Sequence, residues 1–207
     1  MTISLSDAGK RYNRDWIFRH FNYSFESGKS YAITGPNGSG KSTLLQAIGG
    51  SLLLNEGKID YTIGAKPCSA ENAYRHVSIC APYLELIEEM SVKEFLDFHH
   101  GFKPFLPGIT DDFIIRTIGL EKAVKKQIRY YSSGMKQRVK LAQCIFSDTA
   151  LVLLDEPCTN LDSTGIRLYH DLINRYCQNR LVVVSSNDEV EYGWCKAVLN
   201  ISDYKSN

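Results

Sequence analysis

The chain has 207 residues, of which 43% are hydrophobic and 23% charged, proportions of a folded domain rather than a disordered or fibrous chain. A formal net charge of +1 excludes the strongly basic surface by which nucleic-acid-binding proteins hold phosphate backbones. No apolar run approaches the ~20 residues that cross a bilayer, Met1 is not followed by a basic region and an apolar stretch, and the six cysteines (Cys68, Cys80, Cys144, Cys158, Cys177, Cys195) include no C-x-x-C pair. The expectation is a cytoplasmic chain with reduced thiols, without direct membrane insertion, and with Cys80 and Cys144 serving as small core residues.

Along the chain, Thr2–Asp7, Trp16–Phe25 and Ser30–Thr34 are rich in β-branched and aromatic residues, so they are predicted strands, with Gly28 suited to a hairpin between the last two. Ser42–Ile48 follows as a helix, then Gly57–Thr62 and His76–Ala81 as strands. From Pro82 to Ser132 the character changes. Val92–His99 carries apolar residues at helical spacing, with Ser91 as N-cap and Glu94 completing a capping box. Asp111–Ile118 predicts a second helix and Glu121–Lys126 a shorter one, after a loop at Lys103–Gly108 that contains Pro104 and Pro107. Phe95 and Phe98 are expected on the buried helix face, and Phe102 and Phe105 in an exposed patch. Alternation then resumes: Gly134–Phe146 and Ser163–Cys177 as helices, Ala150–Leu154 and Leu181–Ser185 as apolar strands of the buried parallel kind, and Ala197–Ile201 as a closing strand. The sum is an α/β core with an antiparallel N-terminal β layer and a mostly helical insertion.

The stretch with the most chemical content is Gly35-Pro36-Asn37-Gly38-Ser39-Gly40-Lys41-Ser42-Thr43, which matches the phosphate-cradling pattern G-x-x-x-x-G-K-[ST] at every fixed position. It lies between a predicted strand and a predicted helix, the context the pattern requires. Small residues let backbone N–H groups curl around phosphates, and the positive end of the helix faces them. Lys41 adds charge between the outer phosphates of a nucleotide, and the Ser42 hydroxyl suits Mg²⁺. The competing reading is a glycine-rich turn ahead of an ordinary helix.

Leu151-Val152-Leu153-Leu154-Asp155-Glu156 is an apolar strand ending in two carboxylates, placed where α/β sheets bind ligands. Asp155 suits a Mg²⁺ site, and Glu156 suits the orientation and deprotonation of an attacking water. A solvated acidic turn is the alternative. Shortly before that strand, Tyr131-Ser132-Ser133-Gly134-Met135-Lys136-Gln137-Arg138 opens a helix. Its Ser132 hydroxyl and the N–H groups of Ser133 and Gly134 make a second anion site at a helix N-terminus.

These residues resemble the ATP-binding cassette (ABC) ATPases. Ser132, Gly134, Gln137 and Arg138 match that family's signature, usually Leu-Ser-Gly-Gly-Gln, with Tyr131, Ser133 and Met135 as substitutions. Pro157 and Thr159-Asn160-Leu161-Asp162 look like its D-loop, and Tyr12 stands where the family places an aromatic residue against adenine. The resemblance covers nearly the whole chain and implies a P-loop NTPase core of ABC type: one nucleotide-binding domain, with 1–81 and 135–207 as α/β core and β subdomain and 82–134 as helical subdomain. It implies ATP and Mg²⁺ as ligands. It also implies a head-to-tail dimer, homomeric or heteromeric, in which Ser132, Ser133 and Gly134 of one subunit close over the ATP of the other, and integral membrane permease subunits that hold the protein at the inner face of the membrane.

Two departures stand out. The glutamine the family carries after the strand Val77–Ala81 is absent near Pro82 and Tyr83, and its γ-phosphate histidine is replaced by Asn187, which donates a hydrogen bond but carries no charge. His20, His76, His99, His100 and His170 offer no obvious substitute. The resemblance thus implies an ATPase that powers a transporter, of export type by analogy, with Asn187 and the missing glutamine slowing turnover. A soluble assembly ATPase without a permease and an ATP-binding switch with weak hydrolysis are the alternatives. The transported substrate is not legible.

Overall fold

Alternating apolar residues at the N-terminus pair as antiparallel strands, β1 (Thr2–Tyr12) with β2 (Asp15–Glu26), matching Ile3 to Phe25 and Leu5 to Tyr23. The computed structural model describes residues 1–205, which divide into two units, one of Met1–Val77, Thr149–Asp155 and the chain from Asn179, the other of Ser78–Asp148 and Glu156–Gln178.

In the first unit, β3 (Ser30–Thr34) leads through a glycine-rich loop into α1 (Lys41–Ile48), followed by β4 (Glu56–Ile63), β5 (Lys66–Cys68) and α2 (Ala70–Ala73). The antiparallel sheet has the order β2-β1-β4-β5. β1 runs five residues past its predicted end because a register shift between Leu5 and Ala8 changes the phase of burial: Ile3 and Leu5 are buried, then Ala8. Asp7 at φ 47 and His20 at φ 54 mark the irregularity, tied by His20 Nδ1 and Asp7 Oδ1 at 2.7 Å. The hairpin expected at Gly28 is not formed. Gly28 does take a left-handed φ of 76, but β2 belongs to the antiparallel sheet and β3 to the parallel one, so the turn passes the chain between sheets. β6 (Val77–Cys80) begins where the first unit gives way to the second.

The second unit holds α3 (Val92–Phe102), α4 (Asp111–Thr117), α5 (Ser133–Phe146) and, after β7, α6 (Ser163–Tyr176). Each helix starts on a side-chain cap: Ser91, Thr110, Ser132 and Asp162 accept from the backbone N–H three residues on, and Ser91 with Glu94 forms the full capping box. Glu121–Lys126 is not a helix; only Glu121–Ala123 makes a 3-10 turn, and Ile128–Tyr130 makes another, with Lys122, Lys125, Lys126 and Arg129 all exposed. Phe95 is buried as expected, whereas Phe98 is exposed and pairs edge-on with exposed Phe102. Phe105 is 6% exposed, not part of a surface patch. Its loop is zipped to the end of α5 by Leu106 N–H to Phe146 O and Asp148 N–H to Pro104 O, both 2.8 Å, and its ring lies against His99 and His100.

The first unit's parallel strands are β7 (Leu151–Asp155), β8 (Leu181–Ser185), β3 and β9 (Ala197–Asn200), in the order β7-β8-β3-β9; a short α7 (Glu189–Tyr192) lies between β8 and β9. Every residue of β7 and β8 is buried, the pattern of strands covered on both faces. The small elements β5, α2 and α7 are absent from the sequence reading because three or four residues carry too little periodicity. Among the described residues no helix is long and apolar enough to cross a membrane.

Candidate functional site

The loop from Gly35 to Gly40 connects β3 to α1. Gly35, Gly38 and Gly40 have φ of 143, 76 and 106, a region that glycine enters without steric cost. Space also demands glycine: a Cβ on Gly40 would lie 2.0 Å from Ile17 Cγ2, and one on Gly35 2.9 Å from Ile201 Cγ2. α1 differs from the four capped helices. Gly40 offers it no side-chain cap, and its first turn holds no acidic residue, so the N–H groups that have no intrahelical partner stay available to an anion. Buried Lys41 folds back, donating to Gly35 O at 2.8 Å and Pro36 O at 3.4 Å. Its ammonium is thus held inside the loop by neutral carbonyls, with no carboxylate spent on it. Buried Ser39 Oγ has no hydrogen-bond partner among the described residues.

Asn187, just past β8, reaches this loop. Gly35 N–H donates to Asn187 Oδ1 at 3.1 Å, and Asn187 Nδ2 donates to Asn37 Oδ1 at 3.4 Å. Tyr12 lies at the end of β1, 48% exposed, with the Lys10 ammonium 5.3 Å from its ring centre. The same β1–β2 hairpin carries Ile17, whose side chain touches the Gly40 position, so the hairpin bearing Tyr12 packs on the loop.

Asp155 ends β7 and is 3% exposed. Its orientation follows from the strand period: a Cβ on Gly49 would meet Leu153 Cδ1 at 2.8 Å, so Leu153 faces α1, and Asp155, two residues on, shares that face. Ser42, the second residue of α1, and Asp155 are hard oxygen donors of the kind Mg²⁺ takes. Among the described residues no group of three or more His, Cys, Asp or Glu side chains could hold a metal. The donor set fits an ion completed by phosphates and water, the usual arrangement for Mg²⁺. The uncapped helix, the inward Lys41 and the unpartnered Ser39 hydroxyl fit the phosphates.

In the second unit, Glu156 follows Asp155 in the chain, exposed and in left-handed backbone at φ 44, a conformation costing a non-glycine residue about 1–3 kcal/mol. Ser132 caps α5 through Met135 N–H at 3.3 Å; Ser132 and Ser133 are exposed. A Cβ on Gly134 would sit 2.9 Å from Asn160 O, so close approach of the Thr159–Asp162 segment dictates that glycine. Gln137 is buried, its Nε2 donating to Pro157 O at 2.7 Å, which places it as a brace for that segment. Buried Tyr131 donates to Ala123 O at 2.9 Å. At the missing-glutamine position, Pro82 O accepts from Lys140 Nζ at 3.1 Å, and Tyr83 is exposed.

Ile17 and Ile201 were not singled out as site residues by the sequence, and Gln137 was read only as a match to the signature. Each acts by contact with a segment remote in the chain, and nothing in its local pattern signals that. His99 also escaped notice: burial between Phe95 and Phe105 pushes it down to about 4, and its Nε2 lies 2.8 Å from Ser147 Oγ.

A strand, phosphate-type loop and helix followed by a strand ending in Asp define a P-loop protein. A family profile described as "ABC transporter" matches residues 18–159. An ATP-binding protein of an uncharacterized ABC transporter, YybJ of Bacillus subtilis, is 32% identical over 83% of this chain and 78% of its own length. A second from the same organism, YhcH, is 28% identical over 89% of this chain, which spans 61% of that relative. The cytochrome c biogenesis ATP-binding export protein CcmA of Xylella fastidiosa is 31% identical over 77% of this chain and 71% of its own. Among solved structures, a putative ABC transporter ATP-binding protein of Pyrococcus furiosus superposes with a TM-score of 0.81 at 21% identity, covering both chains entirely. A dimeric bacterial ABC transporter cassette gives a TM-score of 0.81 at 20% identity over 96% of this chain and 94% of that one. The chain belongs to the ABC transporter family, on the side of its ATP-binding cassettes.

Proposed function

We propose that this chain is the nucleotide-binding subunit of an ABC transporter, binding Mg-ATP at Gly35–Thr43 and hydrolysing it to drive closure and reopening of a cassette dimer. The observation that carries the reading is the uncapped, acid-free start of α1, with Lys41 turned onto the loop carbonyls and Ser39 Oγ lacking a partner. A phosphate chain satisfies all three at once. Ser42 and Asp155 hold the Mg²⁺, which neutralises phosphate charge when bound. Tyr12 stacks on the base, Glu156 takes the proton of the attacking water, and Asn187 donates its amide toward the terminal phosphate. Ser132, Ser133 and Gly134 of a second cassette, identical or related, face that phosphate. The name of the relative from Xylella fastidiosa, an ATP-binding export protein of cytochrome c biogenesis, supports an exporter with separate permease subunits, and with it a cytoplasmic site of action.

The test is ATP binding and steady-state phosphate release by wild type, Lys41→Ala, Glu156→Gln and Asn187→His. Lys41→Ala should lose binding. Glu156→Gln should bind but lose ~10²–10⁴-fold in rate, the usual worth of a general base. Asn187→His should turn over faster than wild type, because imidazole can carry the charge that the amide cannot. Undiminished ATP binding by Lys41→Ala would sink the site assignment, and binding without turnover in wild type would point to an ATP-binding switch.

A further inference from the structure

Ser185 is the last residue of β8, fully buried at 0% exposure, and its hydroxyl has no hydrogen-bond partner among the described residues. Such a group costs stability wherever it is left unpaired in the interior. Its position is informative. The parallel register sets Ser185 directly beside Asp155 on one flank and Ile33 on the other, and side chains at matched positions of neighbouring strands share a face. That face is the one Leu153 and Asp155 present toward α1. Neighbouring strands are ~4.8 Å apart, so the Ser185 hydroxyl, although it makes no bond to Asp155 in this structure, needs only a side-chain rotation or one bridging water to meet the carboxylate. The next residue serves as contrast: Ser186 Oγ is engaged, accepting from Asp188 N–H at 2.9 Å.

We propose that Ser185 is a positioning residue for the divalent cation. Its hydroxyl, without a partner in the ligand-free chain, takes up its hydrogen bond when the metal arrives with the nucleotide, and fixes the carboxylate of Asp155. This rests on the nucleotide reading above and deepens it. A serine kept for packing alone would be better served by alanine, which fills most of the space and buries no unpaired oxygen. The serine is explained if its partner is present only in the loaded state.

The experiment titrates Mg²⁺, and separately Mn²⁺ followed by electron paramagnetic resonance, into the protein with a fluorescent, non-hydrolysable ATP analogue. In Ser185→Ala the metal concentration for half-maximal binding should rise about tenfold, the worth of a hydrogen bond to a charged group. Metal-free binding of the analogue should stay unchanged, and the ligand-free melting temperature should stay level or rise. Ser186→Ala should do the reverse, lowering the melting temperature without moving the metal requirement. An unchanged metal requirement in Ser185→Ala, a drop in its ligand-free stability, or an equal metal shift in both variants would overturn the assignment. Failure of the wild type to show metal-dependent binding would instead overturn the nucleotide reading on which it rests.

Discussion

Gly40→Ala is the most demanding single change available in the phosphate loop. The residue has φ 106 and ψ 12, and the added Cβ would lie 2.0 Å from Ile17 Cγ2 and 3.5 Å from Ile201 Cδ1. The backbone region alone costs an alanine about 1–3 kcal/mol. The clash adds about 1–3 kcal/mol, because Ile17 is β-branched, stiff at χ1, and cannot swing its methyl aside freely. The total, about 2–6 kcal/mol, corresponds to a fall in melting temperature of about 4–24 °C for a chain of this size. The assay is denaturant unfolding of wild type, Gly40→Ala, Ile17→Ala and the double variant. Ile17→Ala alone should cost about 1–2 kcal/mol, since that side chain is only partly buried. The double variant should be more stable than the sum of the singles by about 1–3 kcal/mol, the steric share of the penalty, while the backbone share remains. Additive behaviour would show that Ile17 does not press on the loop, and a Gly40→Ala cost under about 1 kcal/mol would refute the strained geometry itself.

Gly134→Ala should be destabilised by about 1 kcal/mol although alanine is the better helix former, because the Cβ meets a backbone oxygen, Asn160 O, at 2.9 Å; a higher melting temperature would contradict the contact. Stability should also fall with acid through His99. Its folded value is depressed to about 4 against an ordinary 6.5, so between those values the unfolded chain binds the proton and the folded one does not. The contribution is complete above about pH 6.5 and is lost as pH falls toward 4, about 2 kcal/mol after discounting for partial exposure. His99→Gln should flatten that part of the stability profile, and an unaltered slope would mean that other groups govern it.

The phosphate loop, Asp155 with Glu156, and the start of α5 were legible because each is a continuous run whose residue types are tied to one local geometry. Gly-x-x-x-x-Gly-Lys-Ser encodes a turn and a helix start within nine residues. The four helices of the second unit were readable from their apolar spacing, and the cap of the first, Ser91 with Glu94, was legible as well. Where position depended on a remote partner the sequence was silent or misleading. Phe105 reads as exposed from its prolines, yet the end of α5 covers it. Gly28 reads as a hairpin, yet its flanking strands belong to different sheets.

By itself, then, the sequence determined the longer strands and helices and the strand–loop–helix geometry of Gly35–Thr43, since period, capping and glycine conformations are local properties of the chain. Tertiary structure alone decided that Ile17 and Ile201 wall the loop, that Asn187 reaches Gly35 across 152 residues, and that Ser185 lies unpartnered beside Asp155. Those relations arise from parallel strand register and from packing between segments far apart in sequence, which no local pattern of residues specifies.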